Sequence, residues 1–259
     1  MSRLLSATAA LLFLFALLDD CHAEKPAPGI QVGQTFVSPT DESQQISYLL
    51  FLPCGYCQAP EQGWPLMLFL HGSGERGTDD LPLVKKHGPP KLVETDRNFP
   101  FIVVSPQCPK ETRWSDDAKL KLLNELLVDL TQRFSVDADR VCATGLSMGG
   151  AGAWALAAEY PDRICAIAPM CGAIDPAAAP KIRSVPAWYF EGEDDNPRTL
   201  ASSRALIDAV EEVGGKVRTT YYPNVGHNCW DPAYADPKLY EWLLEQSLKS
   251  RPGTKDPDS

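Results

Sequence analysis

The sequence predicts an α/β fold: a mostly parallel central sheet with helices on both faces and no large cap domain. Three observations carry that expectation. Short runs such as Leu66-Met67-Leu68-Phe69-Leu70 are apolar at every position, as in strands buried on both faces. Through the second half of the chain, such runs alternate with helical segments, the pattern of a parallel sheet with helical crossovers. The chain has 259 residues, which suits one α/β domain of roughly 200–250 residues, and it shows no internal repeat and no linker.

The elements follow in order. Extended runs over 30–37 and 45–52 flank the turn Ser38-Pro39-Thr40-Asp41. The loop 53–64 carries Cys54-Gly55-Tyr56-Cys57. Residues 65–70 form the first buried strand, which ends in His71-Gly72. The segment 73–100 reads as a long loop of the kind that often covers a site, and 101–104 as the next strand. Over 119–134, Leu122, Leu123, Leu126, Leu127 and Leu130 recur at helical spacing. Residues 140–145 are a third buried strand, and 149–160 an alanine-rich helix stopped by Pro161. Strands are expected at 164–168 and 187–190. A helix over 199–213 is closed by Gly214-Gly215. The last strand covers 217–222 and the last helix 237–248. Asp231 before Pro232 reads as a helix N-cap with proline at the first helical position.

The two ends read differently. Residues 1–23 have the form of a signal peptide: Arg3, an apolar stretch over 11–18, and the small-x-small pattern Cys21-His22-Ala23. The apolar stretch is short for a membrane span. Asp19 and Asp20 before Cys21 disfavour a lipoprotein. Cleavage would leave a secreted or periplasmic domain over 24–249, with no stable membrane association, and a disordered polar tail over 250–259. The formal net charge is −10, or about −9 after cleavage, which argues against a nucleic-acid partner.

Seven cysteines would remain after cleavage, and an odd number leaves at least one thiol unpaired unless it bonds another chain. Cys54 and Cys57 form a C-x-x-C without a second pair or a nearby histidine. They read as a small loop disulfide or two idle thiols, not as a metal or redox site. Cys142 and Cys165 lie in apolar runs and read as core.

Chemistry concentrates at Gly145-Leu146-Ser147-Met148-Gly149. A bare G-x-S-x-G would arise by chance in roughly one chain in ten of this length. Here it joins a buried strand to a helix of small residues, as a nucleophile elbow requires. Glycines clear space for the tight turn, and the helix N-terminus directs amides at developing negative charge. A serine hydroxyl then needs a base. Of the histidines left after cleavage, His227 follows the last strand, where the chain order Ser…Asp/Glu…His places it. His71 reads as a buttress of its loop, and His87 as a loop-packing residue with a pocket role as the alternative. The acid belongs in Glu191-Gly192-Glu193-Asp194-Asp195. Asp195, the third residue after Gly192, is the expected member, with Asp194 as the alternative. It would hold the imidazole tautomer and stabilise imidazolium. An oxyanion hole would combine the amide of Met148 with that of Ser73 or Gly72. This constellation is that of the α/β-hydrolase fold.

The residues Trp64 to Gly77 (Trp-Pro-Leu-Met-Leu-Phe-Leu-His-Gly-Ser-Gly-Glu-Arg-Gly) resemble the exported esterases described as predicted peptidases. These are related to the poly(3-hydroxybutyrate) depolymerase-like and feruloyl-esterase-like branch of α/β-hydrolases. The resemblance continues through His87-Gly88-Pro89-Pro90, Ser105 to Pro109, Trp114, the elbow, and Gly226-His227-Asn228-Cys229-Trp230, and so covers nearly all of residues 45 to 248. It implies a carboxylic-ester hydrolase that uses neither metal nor cofactor. Its substrate would be a small-molecule ester or an ester-substituted carbohydrate or polyester. It also places Trp114 and Trp230 near the substrate. Two positions depart from the pattern. Glu191 stands where relatives commonly have histidine, and Cys54 and Cys57 occupy a loop usually free of cysteine. A serine peptidase on the same fold and a non-catalytic hydrolase-like binding protein remain alternatives at this stage.

Overall fold

The computed structural model describes residues 26–251. The signal-peptide reading of 1–23 and most of the tail lie outside these residues. Eight strands form one sheet: β1 (Gln31–Val37), β2 (Gln45–Phe51), β3 (Trp64–Leu70), β4 (Ile102–Pro106), β5 (Val136–Leu146), β6 (Ala166–Met170), β7 (Ala187–Gly192) and β8 (Val217–Tyr222). Their order is β1-β2-β4-β3-β5-β6-β7-β8. Only β2 runs against the rest, antiparallel to β1 and β4, and β4 through β8 pair in parallel. This is the α/β-hydrolase arrangement that the alternating apolar runs predict.

The helices are α1 (Leu81–Val84), α2 (Gly88–Leu92), α3 (Asp117–Arg133), α4 (Met148–Glu159), α5 (Ala179–Ile182), α6 (Pro197–Glu212), α7 (Trp230–Ala235) and α8 (Pro237–Leu244). Two apolar layers sandwich the sheet. One holds the leucines of α3 with Leu66, Leu68 and Leu70 of β3. The other holds Met67 and Phe69 of the same strand with Tyr234, Leu239 and Leu243. Alternate residues of β3 therefore enter opposite layers, which is why its sequence is apolar throughout.

The chain crosses from β3 leftward to β4 and then back past β3 to β5. At such a reversal, the loops leaving the carboxyl ends of neighbouring strands diverge and open a crevice. The loops after β3 and β5 carry Ser73 and Ser147.

Four expectations need correction. The segment 73–100 contains two short helices, α1 and α2. Each has proline at its first or second position, where the missing N–H costs no intrahelical bond. Asp231 is not an N-cap: α7 begins one residue earlier, after Cys229, and the Asp231 carboxylate accepts from Asn228 Nδ2 at 2.8 Å. The last helix stops at Leu244, and a single 3₁₀ turn covers Leu248–Ser250. Ser250 and Arg251 are not disordered tail, since Arg251 is buried and donates to the Pro161 carbonyl at 2.6 Å.

His71 joins the two loops that leave β3 and β4. The Cys108 N–H can only donate, and it reaches His71 Nε2 at 2.9 Å. Nε2 is therefore the acceptor, and Nδ1 carries the proton that it gives to the Gly72 carbonyl at 2.6 Å. The ring is buried and neutral. Burial holds its pKa down at about 4, with the Gly72 bond opposing and the Arg76 charge assisting. The unfolded chain therefore binds a proton at this histidine between about pH 6.5 and pH 4, and the folded one does not. The stability contribution is complete above the unfolded value and is lost as pH falls through that window, by about 3 kcal/mol at most. Urea melts at pH 7.5 and 4.5 should show a smaller acid loss for His71→Gln than for the parent. Equal losses would mean that His71 is protonated in the fold.

Candidate active site

The local structure of the elbow follows from its neighbours. β5 delivers Ser147 at the crevice, and α4 starts at once with Met148. The turn is so tight that Ser147 takes φ 52° and ψ −113°, a left-handed φ that costs a non-glycine residue about 1–3 kcal/mol. The helix presses directly on the sheet. A Cβ at Gly149 would collide with the Leu70 carbonyl, and one at Gly150 with that of Met170. The Ser147 N–H donates to Met170 O at 2.8 Å, and its carbonyl accepts from the Ala151 N–H at 3.0 Å. Both backbone groups are thus fixed and only the side chain projects.

His227 Nε2 lies 2.9 Å from Ser147 Oγ, and its Nδ1 lies 2.7 Å from Asp195 Oδ2. A carboxylate only accepts, so Nδ1 carries the proton and Nε2 is left to accept from the serine hydroxyl. The Asp195 side chain is 2% exposed and the imidazole 44%. The other carboxylate oxygen, Oδ1, accepts the Asn196 N–H at 2.6 Å. Asp194 is drawn away from the relay. Its N–H bonds the Val225 carbonyl at 2.9 Å, which clamps the acid loop to the histidine loop, and its side chain is exposed. The structure therefore brings Ser147, His227 and Asp195 together in one hydrogen-bonded line and leaves Asp194 outside it.

The cleft over Ser147 has a volume of about 520 Å³, and Ser73, Met148 and His227 line it. Met148 is the first residue of α4, so its N–H has no intrahelical carbonyl to meet. The Ser73 loop is held by Arg76, whose Nε donates to the Ser73 carbonyl at 3.1 Å. Gly72 is buried behind it: a Cβ there would press on Leu146 and Glu75. Of the two loop candidates, Ser73 is the one that faces the cleft.

Neither tryptophan lines this cleft. Trp114 is 0% exposed, and its indole N–H donates to the His71 carbonyl at 3.0 Å. It supports the loop from beneath and cannot touch a substrate. Trp230 is half-buried and packs edge-on against His227 at 5.6 Å and against His87 at 5.5 Å, so it braces the imidazole from the side. Three arginines that sequence reasoning missed do line the cleft: Arg76, Arg113 and Arg198. Arg76 and Arg113 come from separate loops and Arg198 from the first turn of α6, so no local spacing links them.

Glu191 stands where the resemblance would put histidine, and it points into the core. It is fully buried. Tyr189 Oη and Ser203 Oγ lie 3.0 and 2.9 Å from its Oε1. Burial raises its pKa; the two hydroxyls oppose that and nearby Asp195 adds to it. All seven described cysteines are free thiols. Cys54 and Cys57 are exposed and the other five are buried. Burial pushes the Cys165 thiol up to about 12 and raises Cys142 as well, as suits core residues.

The sequence matches the Esterase family, described as "Putative esterase", over residues 43–219. The chain belongs to that family. Among solved structures, it is similar to a thermostable esterase at 32% identity and a TM-score of 0.71. That match covers 85% of this chain and 64% of that one, so the chain spans under two thirds of the relative's length. A ferulic acid esterase matches at 21% identity and a TM-score of 0.62, over 83% of this chain and 96% of that one. The S954A feruloyl esterase module from Clostridium thermocellum, complexed with sinapinate, matches at 16% identity and a TM-score of 0.64, over 84% and 88%. These last two likenesses concern the fold. A search of curated proteins found no match.

A raised carboxyl pKa stabilises the fold below the unfolded value and loses that contribution as pH rises through the folded value. Glu191→Gln replaces the acid by a permanently neutral group of the same shape. Urea melts should find the variant at least as stable as the parent at pH 8, with the difference shrinking toward pH 4. A variant that is less stable at pH 8 and recovers toward pH 4 would mean that Glu191 is held as an anion.

Proposed function

We propose that this chain is a serine carboxylic-ester hydrolase that works through a covalent acyl-enzyme. The observation that carries the reading is the hydrogen-bonded line from Ser147 through His227 to Asp195. Ser147 Oγ attacks the ester carbonyl while His227 Nε2 takes its proton. The amides of Met148 and Ser73 receive the oxyanion. Asp195 keeps the imidazole in the required tautomer and balances its positive charge. His227 then protonates the leaving alcohol, activates water, and the acyl-enzyme is hydrolysed. The substrate is a small-molecule ester or an ester-substituted carbohydrate or polyester; the names of the similar structures support ester hydrolysis, and the range follows from the resemblance seen in the sequence. None of these steps calls on a metal or cofactor.

Ser147→Ala should lower turnover of a short 4-nitrophenyl ester by about 10⁶-fold and abolish labelling by a fluorophosphonate probe. Retention of a few per cent of the rate would remove Ser147 as the nucleophile. In the same assay, Asp195→Asn should cost about 10⁴-fold and Asp194→Asn little. The reverse ranking would place the acid one residue earlier.

We also propose that residues 1–23 are an export signal, which the basic-apolar-small pattern supports. N-terminal sequencing of protein from the periplasm or medium of an expressing bacterium should begin at Glu24. An intact Met1 terminus on cytoplasmic protein would overturn this.

A further inference from the structure

The cleft over Ser147 is electrically unlike the rest of the molecule. The chain carries a formal charge of −10, yet Arg76, Arg113 and Arg198 line the cleft and no carboxylate does. Arg76 and Arg113 come from the loops after β3 and β4. Arg198 comes from the first turn of α6, next to the Asp195 loop, so the arginines are carried by elements that leave the sheet on either side of β5.

Arg76 has a partly structural task. Its Nε and Nη1 hold the carbonyls of Ser73 and Lys110 at 3.1 and 2.8 Å, and Nη2 is left over. Arg113 and Arg198 are exposed, and among the described residues neither guanidinium forms an ion pair. The closest competitor in sequence is Asp116, whose Oδ2 is occupied by the Arg113 backbone N–H at 2.8 Å. Arg133, by contrast, is held by Asp129 at 2.8 Å; what distinguishes Arg113 and Arg198 is that they face one cleft together with Arg76. Three positive charges around one nucleophile, in a chain with an acidic excess, leave a field that a neutral ester would not use. A planar guanidinium matches a carboxylate oxygen for oxygen.

We propose that the substrate is an ester that also carries a carboxylate, and that Arg113 and Arg198 bind this group. This rests on the esterase reading and deepens it. The carboxylate sits on the acyl part or on the alcohol, according to which wall it faces, and is a spectator in the chemistry. It therefore acts mainly through KM. A charge-assisted hydrogen bond in a half-open cleft supports about a tenfold preference, and one that weakens with salt.

The test uses two matched pairs with the intact protein. For the acyl side, mono-4-nitrophenyl glutarate is set against 4-nitrophenyl valerate. For the alcohol side, 4-acetoxybenzoate is set against 4-acetoxybenzamide. In at least one pair, the anionic member should have a kcat/KM about tenfold higher, expressed in KM, and the preference should shrink in 0.5 M NaCl. Arg113→Gln or Arg198→Gln should reduce that ratio toward one, and Lys in the same place should restore part of it. Neutral esters hydrolysed as well as or better than their anionic partners in both pairs would overturn this proposal and leave the esterase reading standing. No hydrolysis of any of the four, together with no fluorophosphonate labelling, would overturn both. A preference that survives both glutamine variants would overturn the assignment to these arginines.

Discussion

The site depends on one constraint, the direct contact of helix backbone on sheet backbone where α4 leaves β5. At Gly149 there is no room for even a methyl group against Leu70, and at Gly150 none against Met170. Gly172, beyond the end of β6, meets the Ser147 carbonyl from the other side. With all three surfaces in contact, the chain between β5 and α4 has only one path, and it drives Ser147 to φ 52°. The strain is sustained because the Ser147 N–H and carbonyl are both bonded. An amide at the first position of α4 is thereby set beside the hydroxyl. The projecting Ser147 hydroxyl and the free Met148 amide are consequences of the same close packing.

The acid loop shows how environment divides labour between like groups. Glu191 and Asp195 are both buried, four residues apart. Asp195 bonds one backbone N–H and lies 2.7 Å from the His227 imidazole, whereas Glu191 bonds two hydroxyls in the core. At Glu191 burial outweighs the opposing hydroxyls of Ser203 and Tyr189 and raises the carboxyl pKa. The exposed Asp194 serves through its backbone, which ties the acid loop to the loop of His227. Crowding of acids in the sequence does not make them interchangeable, because each side chain leaves the loop in a different direction.

Much of this was legible in the sequence. Buried parallel strands are apolar at every position, so β3, β4 and β5 announced themselves, and their alternation with helices gave the fold. That Ser147, Asp195 and His227 would meet could be expected because chain order and local turns restrict where each can stand. What could not be read has a common cause, in that it depends on which way a side chain points from an irregular loop. The resemblance implied that Trp114 lies near the substrate, yet its indole turns under the loop to reach the His71 carbonyl. Asp231 looked like a cap because of Pro232. A proline at the third position of α7 is equally permissible, since the first-turn N–H groups have no partner, and the helix started earlier. The short helices over 81–92 carry no periodicity long enough to register.

The arginines of the cleft belong to the same illegible class and bear on how net charge should be read. A formal charge of −10 speaks for the molecule at distances beyond the Debye length, about 8–10 Å in physiological salt. A substrate inside the cleft is closer than that to Arg113 and Arg198, and it is shielded by protein from much of the acidic surface. The sign of the field that it meets is set by the few residues lining about 520 Å³. The acidity that argues against nucleic acid as a partner therefore places no restriction on an anionic small molecule, and the two readings are compatible in one chain.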